Sequence, residues 1–221
     1  MERIQNGSGL TLLRAQLQAF ADGKYELWDE QMRLAALAET CRLLGDLADV
    51  ALAKSLDHLS TGKDRLLALA EYADLCGPEV EKACLAIVAA AKPKPGACDR
   101  EALWAICVLA RGGKAKTNAE AIVATLEAHL PTWNDDSTNP PDAWKPFDDC
   151  LALPGCRLRL IALLGKLIVQ ETPSPVLMAP ALRRIEALGK DAATLRPQLE
   201  MVKVKDAGKA TWIDRILTGT K

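Results

Sequence analysis

Apolar residues recur at alternating spacings of three and four along most of this sequence. The clearest run lies between residues 34 and 51, where the spaced positions are Leu34, Leu37, Cys41, Leu44, Ala48 and Ala51. Such spacing places apolar side chains on one face of an α-helix, because a helix turns once in about 3.6 residues. Gly and Pro separate several of these segments, as at Gly77-Pro78. The pattern therefore predicts amphipathic helices that pack against one another to bury their apolar faces.

The composition favours the same fold class. Apolar residues make up 49% of the chain but aromatic residues only 4%, so the core must be aliphatic. Leu and Ala dominate, and both are good helix formers, whereas runs of β-branched and aromatic residues are scarce. We therefore predict an all-α fold, an antiparallel helical bundle of about nine to eleven helices. Solenoid-like stacked hairpins are the alternative, because helix starts between residues 62 and 130 lie roughly 16–20 residues apart.

Particular segments allow more specific predictions. The segment CDREALWAICVLARGG is apolar on nearly every side, which predicts a deeply buried helix. The segment CRLRLIALLGKLIVQE predicts the most central helix. Pro180 is expected to kink or delay the helix that contains it, and Pro197 to interrupt the next one. Residues 201–205 partly alternate in polarity, but they are expected to be helical because an isolated strand would have no partner.

Charge divides the chain unevenly. Residues 1–150 carry 16 basic and 23 acidic residues, a net charge of −7, and residues 151–221 carry 12 and 6, a net charge of +6. We predict an acidic helical subdomain over 1–130, an ordered Trp/Asp/Pro loop over 131–149, and a basic helical subdomain over 150–221 packed on the first. The basic residues are spread out, which favours attraction between the two halves over a surface for an acidic partner.

The loop LPTWNDDSTNPPDAWKPFDD is the longest stretch that cannot be one helix, since it contains four prolines. Its segment NDDSTNPPDAWK lacks the Gly and the closing Glu of a helix–loop–helix calcium site, so no metal is expected. Its two tryptophans are interpreted as pins that hold the loop on the helices, with a protein-binding edge as the alternative. The candidate partner-binding residues are Trp133, Asp135, Asp136, Trp144, Arg183 and Arg184.

No catalytic motif is evident. The segments STGKD, RGGKA and LLGKL lack the glycine pattern and the following hydroxyl of a phosphate-binding loop. His58 and His129 are each isolated, without a recognisable nucleophile. The seven cysteines include no CxxC pair, so we expect reduced cysteines, with neither a zinc site nor a disulfide framework. No cofactor is expected.

These observations favour a non-catalytic protein–protein interaction or adaptor module, whose partner is another protein. The alternative is a helical nucleic-acid-associated protein that uses its basic C-terminal segment, and the third hypothesis is an enzyme with a site near His129. The most apolar run, residues 158–169, carries Arg159 and Lys166 and is too short to span a bilayer. A cytoplasmic protein without membrane association is therefore expected, and its oligomeric state is left open.

Overall fold

The computed structural model describes residues 7–22, 42–43, 46–56, 77–92, 99–133, 143–170 and 175–220. Every regular element within these residues is helical, and the all-α bundle predicted from the sequence is confirmed. The chain forms two compact units. The first comprises residues 1–91 and 100–118, and the second comprises residues 92–99 and 119–221.

Within the first unit, successive helices of the described segments pack on each other. Helix α1 packs on α2, α2 on α3, and α3 on α4. An ion pair between Lys54 Nζ and Asp22 Oδ1, at 2.7 Å, also joins the end of α2 to the turn after α1. The bounds of these helices are α1 Gly7–Ala21, α2 Asp46–Ser55, α3 Pro78–Ala90 and α4 Arg100–Arg111.

Helix α4 is the buried helix that the sequence predicts. All its residues from Ala102 to Ala110 are buried except Trp104, which is half-buried. Burying one Leu or Ile side chain stabilises a fold by about 1.5–3 kcal/mol, so this helix contributes strongly to the core. Gly113, with φ 74°, follows its end, and its N–H donates to the carbonyl of Ala110 at 3.1 Å. The glycines of RGGKA therefore terminate a helix, as glycine in the left-handed conformation commonly does.

A buried carboxylate from α2 caps the start of α3. Asp49 Oδ1 accepts hydrogen bonds from the N–H groups of Gly77 and Val80, at 2.8 and 3.1 Å. Its Oδ2 accepts one from the N–H of Glu79 at 2.7 Å. The first N–H groups of a helix lack intrahelical partners and carry partial positive charge. Asp49 thus satisfies three donors at once and ties the two helices together.

The second unit is arranged around one long helix, α7. Helices α5, α6, α8 and α9 all pack on it, so within this unit it has the central position that the sequence predicts. Its buried residues include Leu160, Leu164 and Leu167. Three 3₁₀ segments, Leu130–Thr132, Gly189–Leu195 and Ala207–Lys209, connect the helices of this unit. The helix bounds are α5 Ala119–His129, α6 Trp144–Leu151, α7 Pro154–Ile168, α8 Pro175–Leu188, α9 Arg196–Lys205 and α10 Ala210–Gly219.

The glycine of LLGKL has a packing role inside α7. A Cβ atom on Gly165 would lie 2.7 Å from Cδ2 of Leu195, closer than real Cβ atoms approach their neighbours. The missing side chain lets the 3₁₀ segment Gly189–Leu195 approach the central helix. This contact explains the glycine without any phosphate ligand.

Two prolines, Pro180 and Pro197, lie within helices of the second unit. Helix α8 is continuous from Pro175 to Leu188, so Pro180 does not delay it. Pro180 lies in the second turn, where a proline removes a single intrahelical hydrogen bond. The segment around Pro197 is divided, because a 3₁₀ segment ends at Leu195 and α9 begins at Arg196. Pro197 itself stands in the first turn of α9, where its missing N–H costs nothing. Residues 201–205 are helical, as expected.

The two compact units do not coincide with the division by charge. Residues 119–130, assigned to the acidic part of the sequence, belong to the second unit. The ion pairs of Arg159, a residue of the basic part, explain why the division by charge fails. Its guanidinium group pairs with Glu120 at 2.8 Å and with Glu127 at 2.5 Å, so acidic and basic segments are mixed inside one unit.

Candidate functional site

Two of the candidate residues, Trp144 and Arg184, lie in direct contact although 40 positions separate them in the sequence. The guanidinium carbon of Arg184 lies 4.2 Å from the centroid of the Trp144 ring, a cation–π geometry. Arg184 also forms a two-pronged ion pair with Asp148, with Nε donating to Oδ1 at 2.8 Å and Nη2 to Oδ2 at 2.7 Å. Together with Phe147, these residues form what we call the Trp144–Arg184 cluster.

The local sequence of α6 explains how the cluster is held. Trp144 and Asp148 are four residues apart, so they lie one above the other on the same side of the helix. Phe147 is fully buried and meets the Trp144 ring edge-on, with centroids 5.5 Å apart and an interplanar angle of 66°. The Trp144 ring is therefore fixed by two contacts, one with the ring of Phe147 and one with the guanidinium group of Arg184.

The cluster reaches the surface of the second unit. Trp144 is half-buried, and the side chains of Arg184 and Asp148 are 21% and 50% exposed. Lys145 and Asp149, which flank it on α6, pair with each other at 2.8 Å. Arg183 is exposed and forms no ion pair with any residue that the structure describes. The cluster thus presents an aromatic ring and charges of both signs.

The other candidates of the loop divide differently. Trp133 is only 3% exposed, so its ring packs in the interior, as expected of a structural pin. The carbonyl of Pro131, two residues before it, accepts a hydrogen bond from the side-chain amide of Gln170. Asp135 and Asp136 lie outside the described residues. Among the loop candidates that the structure describes, only Trp144 is accessible to a partner.

His129 occupies a buried position at the end of α5. It is 2% exposed, and its Nδ1 atom accepts a hydrogen bond from the backbone N–H of Asp99 at 3.4 Å. Burial lowers the pKa of the imidazole, against a smaller opposing effect of the Asp99 carboxylate. The ring is thus neutral at pH 7 and is used as a hydrogen-bond acceptor. His58 lies outside the described residues.

The described cysteines are buried, and none of them forms a disulfide bond. They are Cys84, Cys107, Cys150 and Cys156. Burial raises the pKa of Cys84 to about 12, and the Glu81 carboxylate adds to the effect. Burial likewise raises the pKa of Cys150 to about 11, with Cys156 and Asp149 contributing. Thiols of this kind are poor nucleophiles, because the thiolate is the reactive form. No group of three His, Cys, Asp or Glu side chains suited to a metal ion occurs within the described residues.

Most cations of the basic segment 151–221 have intramolecular partners. Beyond Arg159 and Arg184, ion pairs join Arg157 to Asp191, Lys203 to Asp214, Lys209 to Asp206 and Arg215 to Glu186. The exposed cations without an ion pair to a described residue are Lys166, Arg183, Lys190 and Lys205. They stand on α7, on α8, in the segment Gly189–Leu195 and on α9. The segment 151–221 therefore has an excess of basic residues, but few of their charges lack an intramolecular partner.

A second tryptophan site was missed by the sequence analysis. Trp212 shares a helical phase with Ile213 and Ile216, which by itself favours a core position, but it is half-buried. Its Nε1 donates to Glu186 Oε2 at 2.9 Å, and Arg215 Nε donates to Oε1 of the same carboxylate. These hydrogen bonds, that of Arg215 first, hold the pKa of Glu186 below its ordinary value. The only sequence signal was the position of Trp212 at the edge of the apolar face.

Comparison of the chain with protein-family models, with curated proteins and with solved structures finds no match. Among the described residues, no helix has both the length and the apolar character needed to cross a membrane. The geometry of the site is therefore the basis for any functional proposal.

Proposed function

We propose that this chain is a non-catalytic protein–protein interaction or adaptor module and that the Trp144–Arg184 cluster contacts its partner. One observation carries the proposal: a partly exposed tryptophan ring is held between Phe147 and a guanidinium group that is itself fixed by Asp148. Trp and Arg are the residue types that most often dominate binding energy at protein interfaces.

The rigidity of the cluster supports this role. Immobilising a long side chain on binding costs about 0.5–1.5 kcal/mol. Arg184 and Trp144 are already ordered by their mutual contact, so a partner meets side chains whose ordering is largely complete. The exposed part of the Trp144 ring supplies apolar area, and the ion pair of Asp148 and Arg184 borders it with polar groups. An apolar centre with a polar rim is the usual anatomy of such interfaces.

The test compares two tryptophan variants. The purified protein is immobilised, and stoichiometric partners from its native lysate are compared between the wild type, Trp144→Ala and Trp212→Ala. Trp212 is the matched control, because it is also half-buried beside an Arg–carboxylate pair in the same unit. We expect Trp144→Ala to lose the partner that the wild type and Trp212→Ala retain. Equal recovery by all three proteins would refute the assignment of the cluster.

Nucleic-acid association, the second candidate, depends on the four exposed cations that lack an ion pair, Lys166, Arg183, Lys190 and Lys205. Binding through phosphates releases counterions and weakens steeply with salt. Titration of labelled duplex and single-stranded DNA and RNA at low salt tests this candidate. We favour the protein partner, because these cations stand on separate elements and most other cations of the basic segment are already paired.

We propose a cytoplasmic location. The buried thiols of the described cysteines support a reducing compartment, since none of them is in a disulfide bond and such compartments keep cysteines reduced. Fractionation of native cells with an antibody against the chain tests this proposal, and recovery in an oxidising compartment would contradict it.

A further inference from the structure

The buried imidazole of His129 is hydrogen-bonded to a backbone group 30 positions earlier in the chain. His129 is the last residue of α5 and is 2% exposed. Its Nδ1 atom accepts a hydrogen bond from the N–H of Asp99 at 3.4 Å. Asp99 belongs to the same unit as His129 and directly precedes Arg100, where α4 begins. The bond therefore holds the end of α5 to the residue that leads into α4.

This hydrogen bond requires a neutral ring. Nδ1 can accept a hydrogen bond only while it carries no proton, so the single N–H of the neutral imidazole is on Nε2. When the ring gains a second proton, Nδ1 becomes a donor and faces the N–H of Asp99, which is also a donor. The bond to the backbone is then lost, and the burial of His129 leaves little water to replace it.

Asp99 also carries an acceptor for the protonated ring. Burial lowers the pKa of the His129 imidazole, and the charge of the Asp99 carboxylate opposes part of this effect, so the two side chains lie near each other. A hydrogen bond from a charged donor to a carboxylate is roughly twice as strong as one between neutral groups. Asp99 thus offers a donor to the neutral ring and an acceptor to the charged ring.

The other charged groups of the elements packed on α5 are engaged elsewhere. These elements are α6, α7 and the 3₁₀ segment Leu130–Thr132, and the last carries no charge. Lys166 on α7 is exposed. Among the described residues, the Asp99 carboxylate is therefore the charge that acts on the imidazole. The ion pairs of α5, α6 and α7 join Lys145 to Asp149, Arg184 to Asp148, Arg157 to Asp191, and Arg159 to both Glu120 and Glu127.

We propose that His129 is an acid-operated switch that changes its hydrogen bond on Asp99. The neutral ring accepts from the backbone N–H of Asp99, and the protonated ring donates from Nδ1 to the carboxylate. The proton comes from the solvent. Because burial lowers the pKa of the imidazole, the change occurs below the ordinary histidine value of about 6.5. The switch goes beyond the proposed function, since it uses a different part of the unit from the Trp144–Arg184 cluster.

The first test is nuclear magnetic resonance of the ¹⁵N-labelled full chain, titrated from pH 7.5 to about 5. At pH 7.5 we expect the proton of the His129 ring to be on Nε2. As the pH falls, the ring nitrogens and the Asp99 amide should shift together, with one midpoint below about 6.5. A ring proton on Nδ1 at pH 7.5, an Asp99 amide that does not follow the ring, or a ring that stays neutral until the chain unfolds would overturn the proposal.

The second test separates the two groups of Asp99. Asp99→Asn keeps the backbone N–H but removes the carboxylate charge, so the midpoint of the His129 ring should move to lower pH. Asp99→Glu, the matched control, keeps the charge and should retain a midpoint closer to that of the wild type. In His129→Asn the Asp99 amide should lose its inflection at the wild-type midpoint. An unchanged ring midpoint in Asp99→Asn, or an unchanged Asp99 titration in His129→Asn, would overturn the switch.

Discussion

The carboxylate of Asp49 occupies the space in which Gly77 would carry a side chain. A Cβ atom on Gly77 would lie 2.8 Å from Asp49 Oδ2 and 2.9 Å from its Cγ. The backbone of Gly77, at φ −98° and ψ −158°, is extended and open to any residue. The glycine is therefore required by the close approach of Asp49 and by nothing in its own conformation.

This relationship predicts a coupled effect of two substitutions. Asp49→Ala removes the partner of three N–H groups and should lower the free energy of unfolding by about 2–3 kcal/mol. Gly77→Ala displaces the same carboxylate and should cost about 1–2 kcal/mol. Combined, the two changes should cost clearly less than their sum, because the alanine then meets no carboxylate. Urea denaturation of the four proteins measures this, and strict additivity would contradict the contact.

The two loop tryptophans should differ in their contribution to stability. Trp133→Ala removes a buried ring and should lower the free energy of unfolding by about 3–5 kcal/mol. Trp144→Ala removes a half-buried ring and its cation–π contact and should cost only about 1–2 kcal/mol. Thermal and urea unfolding of both variants provide the measurement. Equal losses of stability would contradict the expectation that the half-buried Trp144 ring contributes less to the fold than the buried Trp133 ring.

Arg184 should not be replaceable by lysine. A lysine keeps the charge but cannot form the two-pronged ion pair with Asp148 or stack its head group flat on the indole. We expect Arg184→Lys to lower stability by about 0.5–1 kcal/mol and to weaken partner capture nearly as much as Arg184→Ala. Arg183→Lys, at the exposed neighbour, is the control and should leave stability unchanged. A lysine at 184 that preserves both stability and capture would remove the basis of the cluster.

His129 should make the fold sensitive to mild acid. The pKa of its imidazole is lowered in the folded chain by burial, whereas the pKa in the unfolded chain is about 6.5. Above that value both states are neutral and the stability is complete. As the pH falls below it, the unfolded chain binds a proton first, so the free energy of unfolding decreases until the pH passes the folded pKa. Comparing urea midpoints at pH 7.5 and 5.5 should reveal this loss.

The control for this titration is His129→Asn. The asparagine side chain can place an acceptor oxygen near the position of Nδ1, within reach of the Asp99 N–H, but it has no proton to gain. Its urea midpoint should change less between the two pH values than that of the wild type. An identical change in both proteins would assign the acid sensitivity to other groups.

The fold class could be predicted because its cause is local. The spacing of three and four, the absence of strand-forming runs, and the apolar character of α4 and α7 all act within single helices. Prolines were harder to interpret, since their effect depends on where a helix begins: Pro197 starts α9, whereas Pro180 is simply included in α8.

The contacts of the candidate site could not be predicted in the same way. Trp144 and Arg184 were named separately, but their meeting depends on how α6 and α8 are placed around α7. Nothing in the sequence distinguishes Asp49 from the other polar residues of its helix, because its three N–H donors lie about 30 positions away. The Glu186 carboxylate shared by Trp212 and Arg215 is equally non-local.

The buried thiols give this protein built-in reporters of its own opening. Cys84 and Cys107 belong to the first unit, and Cys150 and Cys156 to the second. A thiol that is shielded when folded reacts with a labelling reagent chiefly after its surroundings open. Variants that retain one of these cysteines at a time would therefore convert labelling rates into an opening free energy for each unit, with a native residue as the reporter.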